Sequence, residues 1–144
     1  MLSVSCKASV KAVIYLGSKL RADERASIKD VSKFTNENEH TVGKMLQKLV
    51  KANIIHSTKG PYGGFYLSDK QRKLPIMTIV EAIDGMDVFK QCGLGFNKCS
   101  DSHPCPFHQD FKVVRELFKN MCNKNTIEDL CSQVNRGLAF LIGK

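Results

Sequence analysis

The segment that decides the fold is residues 54–67, which read IIHSTKGPYGGFYL. Its two ends, 54–58 and 65–67, are rich in β-branched and aromatic residues, which are typical of short strands. The intervening turn at 60–64 contains three glycines and a proline, which favour tight turns and close backbone approach. The pattern predicts an antiparallel β-hairpin with a glycine-rich tip.

Three amphipathic helices are expected before this hairpin. The first covers residues 4–20, and the second begins at the capping residue Ser27 and ends near Thr35. After a polar turn at 36–40, apolar residues repeat at helical spacing and predict a third helix. That apolar stripe is Val42, Met45, Leu46, Leu49 and Val50. Two helices joined by a short polar turn are a helix–turn–helix, and the hairpin turns the arrangement into a winged helix.

The second half of the chain is organised differently. A capping box at Thr78 predicts a short helix that ends at Gly85, and residues 90–105 form an irregular loop. Pro106 suits the first turn of a long helix, whose apolar residues alternate steps of four and three. They are Phe107, Phe111, Val114, Phe118 and Met121, and they form a seam that suits either a dimer or packing on the chain's own domain. A last helix is expected from Thr126 to Gly143, with Leu138 and Leu141 on its apolar face.

We therefore predict a mainly α protein with a small β-hairpin wing, built as a winged helix–turn–helix domain plus a long dimerisation helix. The predicted units are residues 1–73 for DNA binding, 74–105 for a connecting helix and cysteine-rich loop, and 106–144 for the dimerisation and C-terminal helices. Charge follows the same division. Residues 1–73 carry 14 Lys and Arg against 6 Asp and Glu, whereas residues 74–144 carry 8 of each. The +8 net charge thus lies in the first part, as expected of a polyanion-binding module.

The chain shows neither a secretory signal nor an apolar run of membrane-spanning length, so we expect a cytoplasmic protein without membrane contact. Six cysteines in that reducing compartment favour metal or redox chemistry over disulfides. Three of them, Cys92, Cys99 and Cys105, are separated by six and five residues, and His108 follows two residues later. These intervals are wider than the two to four residues of most zinc knuckles and suit a larger iron–sulfur cluster. Spacing by itself leaves zinc and iron–sulfur about equally supported.

The wing motif at 59–67, the spaced cysteines and the following seam together resemble the Rrf-type family of bacterial transcription regulators. The resemblance spans about residues 3–142 and implies a homodimer on a pseudo-palindromic operator in double-stranded DNA. It implies that the three cysteines hold an iron–sulfur cluster of two or four irons, which handling in air can remove. Because no acidic residue precedes Asp23, His108 is the expected fourth ligand, ahead of Cys6 and His103.

The resemblance also implies the DNA-contacting residues. His40, Thr41 and Lys44 would face base edges, and Lys48, Lys59 and Tyr62 would meet phosphate or the minor groove. Gly60 and Pro61 would shape the wing tip between them. The predicted function is a transcriptional regulator that senses redox state, nitric oxide or iron–sulfur status.

Other functions remain open on the sequence. A clusterless member of the family could use its thiols as a disulfide switch or its loop for a protein partner, and zinc could stabilise the winged helix. Enzyme activity is not expected, because no P-loop is present and Cys105 with His108 lacks an orienting third group.

Overall fold

The computed structural model describes residues 1–142 and is mainly helical, with one two-stranded antiparallel sheet. The elements in chain order are α1 (Val4–Ser18), α2 (Ile28–Thr35), α3 (Glu39–Lys51), β1 (His56–Thr58), β2 (Gly64–Tyr66), α4 (Asp69–Arg72), α5 (Ile76–Asp84), a short 3₁₀ helix (Met86–Phe89), α6 (His108–Lys124) and α7 (Ile127–Asn135). The prediction of a mainly α chain with a hairpin wing is confirmed.

Local side-chain caps define the helix–turn–helix formed by α2 and α3. Ser27 and Asp30 make a reciprocal capping box at the start of α2, as the sequence predicts. Asn36 ends that helix in the left-handed conformation, and Asn38 then caps α3 through the Thr41 N–H at 2.8 Å. Helix α3 buries Val42, Met45, Leu46 and Leu49 and leaves its opposite face in solvent.

The wing is tied to the helical core by a third segment. Strands β1 and β2 pair from His56 opposite Tyr66 to Thr58 opposite Gly64. Ala26, just before α2, exchanges two backbone hydrogen bonds with Phe65, at 3.0 and 2.8 Å. This close approach requires glycine at 64, where a Cβ would lie 2.6 Å from the Ala26 carbonyl oxygen.

One continuous core joins the N-terminal and C-terminal parts of the described chain. Helix α1 lies at its centre and packs against α2, α3, α5 and α7. The α6–α7 junction is held by a short antiparallel pairing, in which the Ile76 N–H donates to Asn125 and the Ile127 N–H donates to Leu74, each at 2.9 Å. The predicted division into three units remains a prediction.

Three local details differ from the sequence-based expectation. Helix α5 begins at Ile76 with Pro75 at its N-cap, so the predicted start at Thr78 is wrong. Pro75 pairs with Thr126, a long-range contact that sets this boundary. Pro106 precedes α6 and lies outside it, because the helix begins at His108. The short helix α4, capped by Ser68, was not anticipated.

Helix α7 is also shorter than predicted. It ends at Asn135, and Gly137 adopts a φ of 71° that stops the helix. Leu138 and Leu141 therefore do not continue its apolar face. The predicted end at Gly143 lies outside the described residues.

Candidate functional site

The cysteine loop, residues 90–107, connects the 3₁₀ helix to α6 and is anchored on α6. The buried Arg115 of that helix donates through Nη1 to the Gln91 carbonyl oxygen at 2.7 Å. Gly93 lies against Phe111, where a Cβ would approach the ring to 2.9 Å. Both of these loop contacts are made by side chains of α6.

Cys92 and Cys105 form one pair of neighbouring thiols within the loop. Both side chains are buried, and Cys105 is one of the neighbours that lower the pKa of the Cys92 thiol. The Leu94 N–H points at Cys92 Sγ at 3.4 Å. Hydrogen bonds from the backbone of Leu94 and Phe96, then from Cys105 and the Gly95 backbone, lower the pKa of the Cys92 thiol. A sulfur surrounded by N–H donors is suited to carry negative charge.

Cys99 and His108 form the second contacting pair. Cys99 Sγ lies 3.2 Å from His108 Nδ1, and the other ring nitrogen, Nε2, lies 2.7 Å from Asp101 Oδ1. Lys112, one turn along α6, donates to both carboxylate oxygens of Asp101 at 3.1 and 3.3 Å. Hydrogen bonds from His108 and then Lys112 hold the pKa of Asp101 below its ordinary value. His108 is buried. Burial is compatible with a role as a ligand, whereas a histidine on the solvent-facing side of a helix would be exposed.

The four predicted ligands thus gather as two pairs. Among residues 1–142, no group of three or more His, Cys, Asp or Glu side chains is close enough to hold a metal ion. A single zinc ion would need such a convergent set, whereas an iron–sulfur cluster presents separate iron atoms to separate ligands. A cleft of about 620 Å³ beside the loop is bordered by both Cys92 and Cys99. The thiol and imidazole donors, the N–H group at Cys92 Sγ and the adjoining cleft are compatible with an iron–sulfur cluster.

The lower-ranked ligand candidates are placed differently. His103 is exposed in the loop, while Cys6 is buried in the core. Burial raises the pKa of Cys6 to about 12 and that of Cys131 to about 11, and it also raises the pKa of Cys122. These three thiols are core side chains in the described structure.

Sequence reasoning missed three polar residues of the site, namely Asp101, Lys112 and Arg115. The spacing of Lys112, four residues after His108, was a signal that both project from one face of a helix. The contact of Asp101 with His108 had no such signal, because it depends on the path of the loop. Arg115 Nε is buried without a hydrogen-bond partner among residues 1–142.

A second polar surface lies on the winged helix. His40, Lys44 and Lys48 are exposed along α3, with Thr41 partly exposed between them. All four border a pocket of about 210 Å³ that Ser5 of α1 and Ile83 of α5 also line. The exposed face of α3 thus carries two lysines and a histidine, beside the hydroxyl groups of Thr41 and Ser5.

The wing tip extends away from the core. Lys59, Gly60, Pro61 and Tyr62 are all exposed, and Tyr62 has 93 % of its surface in solvent. The Gly63 N–H donates to the Gly60 carbonyl oxygen at 3.0 Å and closes the turn, and Gly60 has a φ of 102°. A cation and an aromatic ring are therefore presented together at the end of a rigid turn.

The outward face of α6 is apolar. Phe118 of the predicted seam packs inward on Phe89, with ring centroids 5.3 Å apart. Other seam residues and their neighbours are exposed: Phe107, Val113, Val114, Leu117 and Met121. Helices of a monomer seldom leave such a row of large apolar side chains in solvent.

No helix among residues 1–142 combines the length and apolar character needed to cross a membrane. Residues 2–133 match the family model Rrf2, described as an iron-dependent transcriptional regulator. A putative HTH-type transcriptional regulator of Aquifex aeolicus is 27% identical over 121 residues, covering 83% of both chains. The HTH-type transcriptional regulator NsrR of Geobacillus kaustophilus is 23% identical over 123 residues, covering 85% of this chain and 83% of that protein.

A solved structure shares the whole fold. The structure of CymR, the global cysteine regulator of B. subtilis, superposes with a TM-score of 0.72 at 20% sequence identity. The match covers 92% of this chain and 96% of CymR. This likeness confirms the predicted winged-helix architecture.

Proposed function

Because this chain belongs to the Rrf2 family of transcriptional regulators, which are not enzymes, we propose that it controls transcription through an iron–sulfur cluster bound by its cysteine loop. The observation that carries the proposal is the grouping of the loop's donors into two pairs, Cys92 with Cys105 and Cys99 with His108. The description of the family model as iron-dependent agrees with it.

These four side chains would hold the cluster. When bound, such a cluster supplies reversible electron transfer and reactivity toward oxidants and nitric oxide, which are the signals that the sequence suggests. The backbone N–H groups around Cys92 stabilise thiolate charge, and the two anchors on α6 hold the loop against that helix. The pairwise grouping is compatible with either two or four irons.

We further propose that the chain binds double-stranded DNA as a homodimer. His40, Thr41 and Lys44 of α3 would read base edges, while Lys48, Lys59 and Tyr62 would contact phosphates or the minor groove. The apolar outer face of α6 supports the dimer, since a second copy of α6 would bury it. Paired subunits account for a pseudo-palindromic operator, and binding to chromosomal DNA would place the protein in the cytoplasm.

A direct physical route connects the two surfaces. The loop is anchored on α6 through Arg115, and the far end of α6 is bonded to the start of α5 through Asn125 and Ile76. Ile83, near the end of α5, borders the pocket beside α3. A change in the loop can therefore alter the placement of α3, and a preference of a few kcal/mol between two placements is sufficient for a switch.

The test is anaerobic purification followed by an absorbance spectrum and analysis of iron, sulfide and zinc. We expect a coloured protein with equal iron and sulfide, and loss of that absorbance in Cys92→Ala but not in the matched control Cys122→Ala. Operator binding should differ between the loaded and the cluster-free protein. An iron-free protein after anaerobic reconstitution would contradict the proposal, and a colourless protein with bound zinc would favour the zinc-stabilised alternative.

A thiol switch is the second candidate, because Cys105 lies close enough to Cys92 to lower the pKa of its thiol. Oxidation by a peroxide would join the two sulfurs, with two electrons and two protons passing to the peroxide to give water or an alcohol and water. Peptide mapping without reductant would detect this disulfide. The switch is supported if oxidation changes operator binding by the cluster-free protein. It is excluded if oxidation has the same effect on operator binding by Cys105→Ala, which cannot form this disulfide.

A further inference from the structure

We propose that Asp101, supported by Lys112, is a positioning residue that makes Nδ1 of His108 the atom available to bind iron. The inference rests on the proposed cluster for its function, but its structural part can be tested on the metal-free protein. Asp101 lies outside the predicted ligand set, and its side chain is 69 % exposed. An exposed carboxylate bonded to a buried imidazole suggests a role in orientation.

The hydrogen-bond pattern determines which nitrogen carries the proton. An ionised carboxylate can only accept, so the 2.7 Å contact with Asp101 Oδ1 requires a proton on Nε2 of His108. In the neutral ring Nδ1 then keeps its lone pair, and this atom faces Cys99 Sγ at 3.2 Å. The lone pair is thereby directed at the side of the ring where another ligand candidate lies.

Lys112 completes the arrangement from α6. Its ammonium group bonds both oxygens of Asp101, which fixes the carboxylate in place. Lys112 and His108 are four residues apart and lie one turn from each other on the same helix. Helix α6 therefore presents both the imidazole and the cation that holds its carboxylate partner.

Metal-binding histidines commonly donate their second N–H to a carboxylate, which sets the tautomer and the ring orientation. Removing such a partner typically weakens metal retention by roughly 10- to 100-fold. Replacing the carboxylate of Asp101 by an amide can also reverse the tautomer of His108, because an amide NH₂ can donate to the ring nitrogen whereas a carboxylate can only accept.

The first experiment uses the metal-free chain with ¹⁵N-labelled histidine. In the unaltered chain we expect the ring ¹⁵N shifts of His108 to be those of a neutral imidazole protonated at Nε2. This single tautomer should be lost in Asp101→Asn and Asp101→Ala. It should be unchanged in Asp110→Asn. Asp110 is a matched control, being exposed in the first turn of α6 without a hydrogen bond to His108. Protonation at Nδ1 in the unaltered chain, or an unchanged tautomer in both Asp101 variants, would overturn the inference.

The second experiment uses the cluster-loaded chain. Pulsed EPR of the reduced cluster should show a directly bound histidine nitrogen that is lost in His108→Ala, and iron loss to a chelator should be roughly 10- to 100-fold faster in Asp101→Ala than in Asp110→Asn. Equal iron loss, or a cluster without a histidine ligand, would overturn the inference. Failure to load any cluster would instead refute the proposed function, while the tautomer measurement would still decide the role of Asp101.

Discussion

Substitution of Gly17 by alanine should destabilise the protein even though it removes a glycine from a helix. Gly17 lies where α1 crosses α7, and a Cβ at this position would overlap Cys131 Sγ and approach Leu67 Cδ1 to 3.0 Å. Cys131 is fully buried, so its sulfur has no solvent-facing space to enter. Overpacking of this kind typically lowers the free energy of unfolding by about 1–3 kcal/mol, against roughly 1 kcal/mol gained from helix propensity.

The second substitution, Cys131→Ala, identifies the cause. Alone it removes one buried sulfur and should lower the free energy of unfolding by about 1 kcal/mol. In the double variant the new methyl group occupies the space left by the sulfur, so its stability should be within about 1 kcal/mol of the unaltered chain. The two changes should therefore couple by about 1–3 kcal/mol in a double-mutant cycle.

The assay is urea unfolding of reduced, metal-free protein at pH 7 and one protein concentration, followed by circular dichroism. Gly43→Ala is the matched control, since its Cβ would meet only Ile28 Cδ1 at an ordinary 3.6 Å. This control should gain up to about 1 kcal/mol from helix propensity. A coupling below about 0.5 kcal/mol between Gly17→Ala and Cys131→Ala would refute the packing argument.

Three further outcomes are expected. Lys59→Ala should weaken binding to operator and unrelated DNA alike and reduce the slope of log affinity against log salt by about one, as measured by fluorescence anisotropy; an unchanged slope would place Lys59 off the DNA. Arg115→Met removes the bond to the Gln91 carbonyl, so loop thiols should react faster with a thiol reagent in the cluster-free protein, whereas equal rates would argue against this anchor. Burial raises the pKa of Cys131 from 9.0 to about 11, so its stabilising contribution is complete below pH 9 and declines above it. Stability should fall by about 1.5 kcal/mol between pH 9 and 10.5 from this thiol, and urea unfolding of Cys131→Ala should show a correspondingly smaller decline.

Features that depend on neighbouring residues were predictable from the sequence. The capping box of Ser27 and Asp30 acts across three residues, and the apolar stripe of α3 follows directly from helical periodicity. The hairpin follows from its turn residues. For the same reason the cysteine spacing could indicate a site, although it left the nature of the site open.

Contacts between distant segments were not predictable in this way. The start of α5 depends on the pairing of Pro75 with Thr126, and the end of α7 depends on the conformation that Gly137 adopts. Nothing near Pro75 in the sequence identifies Thr126 as its partner, whereas Gly137 is a helix-ending residue that the longer apolar pattern outweighed. The apparent capping box at Thr78 was misleading, because the pairing of Pro75 with Thr126 lets the helix begin at Ile76, two residues before Thr78.

By itself, the sequence determined the winged helix–turn–helix, the excess of positive charge in residues 1–73 and the identity of the candidate ligands, because caps, periodicity and composition act over short distances. Only the tertiary structure decided that the loop donors gather as two pairs and that Asp101 bonds His108. Those contacts arise where an irregular loop folds back onto α6, and its path depends on Arg115 and Phe111, which belong to the helix. Packing against a distant element thus determines the positions of these side chains, whereas the local sequence indicates only which residues are candidates.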